Sequence, residues 1–278
     1  MMPLTVSPQW LHDNFDDPNL VLLDASTQDN KAGKQSAFNK LFIKGSRQFD
    51  LRAFSSRKTD LPSMLTSPNV FQKECRKLGI NNTSRIVVYD NLGIYTSPRV
   101  WWMFRVMGHK NIAVLDGGLP AWIQQGFDTT PLLEQTSGTG AFTASYNPRS
   151  VAEIDQVISN LSTKRALVID ARSPGRFNGT ASEPRAGLRS GHIPHSVNVP
   201  FEKVLENGIY KSREALRDIF KPIITKDKPL IFSCGSGVTA CIVLLACEMV
   251  YKNDKAVFDG SWTQWALTEG LSIEASIE

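Results

Sequence analysis

Cys234 is the residue of this chain best placed to act as a nucleophile. It closes the short apolar run Leu230-Ile231-Phe232, which predicts a buried strand, and it opens the glycine-rich turn Cys234-Gly-Ser-Gly-Val-Thr239. The apolar stretch Val238–Met249 that follows has helix length. A sulfur at a strand end, facing backbone N–H groups and a helix N-terminus, sits where negative charge is favoured. The thiolate is the reactive form of cysteine. Gly235 and Gly237 let the backbone curl around the sulfur with no Cβ in the way, and the amides of Val238 and Thr239 complete the turn. A buried core cysteine beside a tight turn is the competing reading, since free cysteine is often simply buried.

A second cluster of chemistry-bearing residues lies in the long Gly-, Pro- and Arg-rich segment 172–194, which follows a predicted strand ending at Asp170. Arg176 and Arg185 can clamp a carboxylate, because guanidinium groups bind carboxylates in planar, bidentate fashion. The alternative for either arginine is a pair with Glu183 or Asp170. Asp24, Asp116, Asp170 and Asp259 are read as cap and turn residues, Trp262 and Trp265 as core, and His192 as a tie between its loop and the domain. Cys241, seven residues after Cys234, is expected to lie too deep in the helix for direct catalysis.

The elements that must position these groups repeat. Val21-Leu-Leu-Asp-Ala-Ser26 returns as Leu167-Val-Ile-Asp-Ala-Arg172, Arg85-Ile-Val-Val-Tyr-Asp90 as Pro229-Leu-Ile-Phe-Ser-Cys234, and Val114-Leu-Asp-Gly-Gly118 as Val257-Phe-Asp-Gly-Ser261, at offsets of 146, 144 and 143 residues. Three ordered matches at nearly constant offset indicate a tandem duplication. The expected boundaries are a first domain over 1–130, a linker over 131–148 and a second domain over 149–278. Short β-branched runs (20–23, 86–89 and 112–115; 166–169, 197–199, 230–232 and 256–258) alternate with helical patterns such as Thr66–Leu78. That alternation predicts an α/β fold with a mainly parallel sheet in each copy, ligands lying beyond the carboxyl ends of the strands. Asp90 occupies the first-copy position of Cys234, so one copy keeps a nucleophile and the other does not.

Composition narrows the function classes. The 278 residues carry a net charge of +4 with no long basic block, which argues against nucleic acid. Four cysteines without C-x-x-C spacing and four scattered histidines argue against zinc and against a disulfide framework. No stretch approaches the roughly 18 apolar residues of a membrane span, and the first residues lack a basic, apolar leader pattern. A reducing cytoplasm, no cofactor and no metal are expected.

Together the tandem units, the Asp259-Gly-Ser-Trp-Thr-Gln-Trp265 turn, Gly191-His-Ile-Pro194 and Cys234-Gly-Ser-Gly-Val-Thr239 resemble the two-domain rhodanese-family sulfurtransferases over nearly the whole chain. The resemblance implies two tandem rhodanese-like domains, of which the second is catalytic. It also implies transfer of sulfur through a Cys234 persulfide to a thiol acceptor such as thioredoxin, or to cyanide. Within the family a neutral loop after the cysteine goes with 3-mercaptopyruvate as donor and a basic loop with thiosulfate. Gly235 and Ser236 make this loop neutral. Arg176-Phe-Asn-Gly-Thr180 and Glu183-Pro-Arg185 match the family's carboxylate-binding positions, and Gly93–Trp102 resembles the first-domain segment that brings a tyrosine, here Tyr95, towards the substrate. Arg52 and Ser63 stand where the family often has an acid and a histidine of a proton relay, so proton handling falls to Ser236 and the loop amides. Thiosulfate use by the same persulfide is the alternative activity. A phosphatase of related fold would need an arginine closing the loop, and Thr239, Ala240 and Cys241 follow Val238 instead. A non-catalytic sulfur carrier is the third reading. A monomer suffices, since duplication supplies both domains in one chain.

Overall fold

The computed structural model describes residues 2–27, 33–135, 138–225 and 227–275. Each copy of the repeat forms a five-stranded sheet in which every pairing is parallel. In the first, the strands run Thr5–Val6, Ile112–Leu115, Arg85–Tyr89, Leu20–Asp24, Ser46–Gln48 across the sheet. In the second they run Val151–Ala152, Lys255–Phe258, Leu230–Ser233, Leu167–Asp170, Val197–Asn198. The order is the same, and so is the register: Ile86 pairs with Ile112 as Leu230 pairs with Lys255, and Asp24 with Gln48 as Asp170 with Asn198. Duplication is therefore visible at the level of individual residue pairs.

The central strands are apolar on both faces because helices cover both faces. The helix Ala240–Val250 is apolar nearly all round and buried along almost its whole length, as is its first-copy equivalent Ser97–Val106. In the second unit Val168, Ile231, Phe258, Trp262 and Trp265 share one core cluster. In the first, Leu22, Val87, Leu115 and Trp122 pack on one side, while Phe49, Phe54, Phe71, Phe104 and Phe142 form an aromatic cluster. The expected helix over 66–78 is Pro68–Lys77, with Ser67 at its N-cap and proline in its first turn, where the missing N–H is no loss. The two-residue edge strands Thr5–Val6 and Val151–Ala152 escape sequence periodicity because two residues are too few to show alternation.

The chain divides into two compact units, Met1–Ser56, Leu65–Asn147 and Asn207–Tyr210 in one, Arg57–Met64, Pro148–Glu206 and Lys211–Glu278 in the other. Of the segment read as a linker, Thr136 and Ser137 lie outside the described residues. Gly140 and Phe142 donate backbone hydrogen bonds to Arg76 and Ile80 at 2.8 and 3.1 Å, and Phe142 is fully buried. A Cβ on Gly140 would fall 2.2 Å from the Ile80 carbonyl, so only glycine allows this approach. The stretch looks polar in sequence because one phenylalanine carries its packing. Among the described residues no helix is long and apolar enough to cross a membrane.

Candidate active site

Cys234 immediately follows Leu230–Ser233, the middle strand of the second sheet, so it emerges at the carboxyl edge, where parallel α/β sheets bind ligands. Its side chain is buried, and Gly237 takes the left-handed conformation (φ 74°) that the turn requires. Val238 and Thr239 lead into the helix, which starts at Ala240 rather than Val238. That shift corrects the expectation for Cys241. It lies in the first helical turn rather than deep in the helix, and its thiol donates to the Gly237 carbonyl at 3.2 Å, bracing the base of the loop.

The remaining thiols are inert. Burial pushes the Cys247 thiol up to about 12, with Lys255 opposing and Glu248 adding to the effect, and burial pushes the Cys75 thiol up as well. All four cysteines are free.

The segment over 172–190, expected to be all loop, forms a short helix at Pro174–Asn178 that carries Arg176, and it brings Arg176 and Arg185 to the cysteine loop. A Cβ on Gly235 would lie 2.9 Å from Arg176 Nη2 and 3.7 Å from Arg185 Nη1. Gly235 is thus needed for a second reason: a side chain there would occupy the space of the guanidinium. Arg176 donates from Nε and Nη2 to Glu183 at 3.1 and 2.5 Å. That edge of the guanidinium is taken, and the Nη1–Nη2 edge remains for an incoming carboxylate. Glu183 is accordingly a partner of arginine. Its carboxylate, almost wholly buried, also accepts from Arg172 Nη1 at 2.8 Å.

Arg172 is the residue that sequence reasoning missed. Fully buried, it donates from Nε and Nη2 to Asp170 at 2.9 and 2.6 Å and from Nη2 to the Gly191 carbonyl at 2.8 Å, and it lies over the Trp262 ring at 4.3 Å. Burial opposes its charge, but Asp170 and then Glu183 outweigh burial and hold its pKa above the ordinary arginine value. The chain Asp170–Arg172–Glu183–Arg176 alternates in sign, so each buried charge has an opposite neighbour. The Asp170-Ala-Arg172 spacing was a legible signal, since the residue two after a strand-end aspartate can fold back on it. His192 ties this loop as expected: its ring stacks on Phe177 at 3.8 Å, Nδ1 meets the Phe177 carbonyl at 2.8 Å, and its backbone pairs with Glu274.

Ser236 is half-buried on the loop. Tyr95 lies in the first unit, in the loop equivalent to that of Cys234, with its side chain buried. Arg52 belongs to the first unit and Ser63, in left-handed conformation (φ 60°), to the second.

The first-unit loop shows what such a turn does with an anion. Asp90 is buried, and its Oδ2 accepts N–H bonds from Tyr95, Thr96 and Ser97 at 2.9, 3.0 and 2.9 Å and the Ser97 hydroxyl at 2.7 Å. The donors at this helix N-terminus converge on one oxygen, as fixed dipoles favour. In the first copy the chain's own carboxylate fills the cradle.

Known proteins place this architecture. The rhodanese-like domain model matches twice, over residues 7–125 and 153–268. The chain is 40% identical to thiosulfate/3-mercaptopyruvate sulfurtransferase 1, mitochondrial, of Arabidopsis thaliana, over 97% of this chain and 78% of that one. It is 36% identical to the 3-mercaptopyruvate sulfurtransferase of Escherichia coli K12, over 97% of both. The crystal structure of Escherichia coli SseA, described as a 3-mercaptopyruvate sulfotransferase of rhodanese fold, superposes with a TM-score of 0.84 at 33% identity, covering 94% of this chain and 99% of that one. With a domain match over most of each sheet and relatives covering 97% of this chain, the chain belongs to the rhodanese family.

Proposed function

We propose that the protein is a 3-mercaptopyruvate sulfurtransferase, in which 149–278 is the catalytic copy, 1–130 the copy without a nucleophile and 131–148 the join. The observation that carries the substrate is the convergence of Arg176 and Arg185 on Gly235, beside a cysteine whose own loop has no charged side chain. A keto acid thiol carries its negative charge several bonds from its sulfur. The cationic groups that hold it therefore belong beside the loop, not within it.

Arg176 and Arg185 bind the carboxylate and keto oxygen, with Glu183 holding Arg176 in place. The Cys234 thiolate attacks the substrate sulfur, forming an S–S bond as the C–S bond breaks. The C–S electron pair passes into the carbonyl group, giving the enolate of pyruvate, whose charge the arginines stabilise. The substrate's thiol proton passes through Ser236 to the enolate carbon, so pyruvate leaves and the persulfide remains as its anion. The loop amides hold the anionic persulfide as their first-copy equivalents hold Asp90. An acceptor thiolate or cyanide then attacks the outer sulfur and regenerates the Cys234 thiolate. Tyr95 is assigned to substrate binding on its family-like neighbourhood, Gly93–Trp102. A soluble thiol acceptor, a cytoplasmic location and a monomeric state complete the proposal.

Incubation with 3-mercaptopyruvate is expected to release pyruvate and add the mass of one sulfur atom to Cys234. Full activity of Cys234→Ser would overturn the reading. Thiosulfate is the second candidate donor, because the chain is also 39% identical to a rat thiosulfate sulfurtransferase over 94% of its length. Comparing kcat/KM for the two donors decides between them, with 3-mercaptopyruvate expected to be preferred.

A further inference from the structure

The second copy takes two hydroxyl hydrogen bonds to the cysteine loop from the start of the helix Ser261–Leu267, where the first copy has none; there the Asn91 carbonyl, counterpart of that of Gly235, accepts from Ser36 Oγ at 2.7 Å instead. Three consecutive residues at the start of the helix Ser261–Leu267 grip the peptides around Cys234. Ser261 Oγ accepts the Cys234 N–H at 3.2 Å and donates to the Phe258 carbonyl at 2.8 Å. The Trp262 N–H binds the Cys234 carbonyl at 2.9 Å. Thr263 binds the Gly235 carbonyl twice, from N at 3.1 Å and from Oγ1 at 2.6 Å. Both hydroxyl residues are buried.

The first copy supplies an internal control. Leu119, the counterpart of Trp262, donates to the Asp90 carbonyl at 3.0 Å, so the backbone bond is common to both. The counterparts of Ser261 and Thr263 are Gly118 and Pro120, which have no hydroxyl and, at Pro120, no N–H. Ser261 also keeps the left-handed backbone (φ 50°) that Gly118 adopts freely (φ 53°). A residue with a Cβ is strained there, and such strain persists where the surroundings hold it in place. The copy with the sulfur thus carries a strained serine and a doubly bonded threonine. The copy without it has neither.

The geometry points to Ser261 and Thr263 as positioning residues of the sulfur-transfer reaction, an inference that rests on the functional reading above. In a trans peptide the C=O and the next N–H point in opposite directions. Drawing the Gly235 carbonyl towards the helix Ser261–Leu267 therefore turns the Ser236 N–H away from it, and the first-copy equivalent of that amide, Leu92 N–H, donates to Asp90 Oδ1 at 3.0 Å. An amide held in that orientation meets the thiolate and the persulfide without rearranging during the reaction, which is the source of its leverage.

The test uses Ser261→Gly, which removes the hydroxyl and relieves the backbone, and Thr263→Val, which removes only the side-chain bond. Each is expected to lower kcat for pyruvate release about tenfold with KM for 3-mercaptopyruvate unchanged, since oriented donors act on the transition state more than on ground-state binding. Melting temperature is expected to hold in Ser261→Gly, and Thr263→Ser, which restores the hydroxyl, is expected to restore turnover. The rate of Cys234 alkylation by iodoacetamide is expected to fall about tenfold in the same two variants, because the thiolate loses aligned donors. Parental kcat and parental alkylation rates in both variants would overturn the inference, as would losses that merely track unfolding. If the parent released no pyruvate from 3-mercaptopyruvate, the functional reading would fail while alkylation still decided the role of the two hydroxyls.

Discussion

Arg176 is held by Glu183 through two parallel hydrogen bonds, at 3.1 and 2.5 Å, and the same carboxylate reaches Arg172 at 2.8 Å. One buried anion therefore fixes Arg176 and the buried Arg172 together. Such a bidentate pair sets the plane of the guanidinium as well as its position, which matters for the carboxylate contact proposed for Arg176.

Glu183→Gln removes that anion while keeping the shape. KM for 3-mercaptopyruvate is expected to rise about tenfold, equivalent to about 1.4 kcal/mol, as Arg176 loses its fixed orientation. Stability is expected to fall by about 2 kcal/mol because the buried Arg172 retains only Asp170 as a charged partner. Steady-state kinetics and urea unfolding measure the two effects separately, and an unchanged KM would remove Glu183 from the binding machinery.

Asp90→Ala empties the first-unit cradle. Five donors then lose their acceptor, four of them backbone N–H groups, from Leu92, Tyr95, Thr96 and Ser97. Hydrogen bonds to a charged group contribute about 1.5–3 kcal/mol each and four of these share one oxygen, so a loss of about 3 kcal/mol is expected. The melting temperature is expected to drop by several degrees, with kcat per folded molecule preserved. A variant as stable as the parent would show that the cradle does not need its anion.

The pH dependence of stability has an identifiable source in Asp24. Burial raises its carboxyl from the ordinary 3.8 to about 6, with Ser26 hydrogen bonds opposing and Asp90 adding to the rise. A raised folded-state pKa means that the protonated form is favoured in the native state. This contribution is thus fully present below about pH 4 and is lost as pH rises through about 6. Above that pH the ionised group costs about 3 kcal/mol. Asp24→Asn keeps an oxygen for the Ser26 N–H and hydroxyl, so it is expected to be more stable than the parent at pH 7 and equal to it near pH 4. Thermal melts of both proteins across this range check the sign; a variant less stable than the parent at pH 7 contradicts it.

The amino-acid order by itself determined the duplication, the parallel α/β sheets and the one copy that keeps a thiol. Each of these rests on local periodicity or on short runs recurring at constant offset, which need no contact to be seen. It also marked Arg176 and Arg185 through their motif, and Ser261 and Thr263 stood in plain view against Gly118 and Pro120. Their meaning did not, because a hydroxyl acquires a role only when the chain brings an amide or a carbonyl to it from some 28 residues away. Tertiary structure alone decided that Arg172 and Glu183 form one buried charge network, that Cys241 braces the loop and that Asp90 fills the first cradle. Charges in sequence have no sign of burial or partner. Only folding excludes water, and once water is gone an ion must find its opposite nearby, which is what turns scattered arginines and carboxylates into a site.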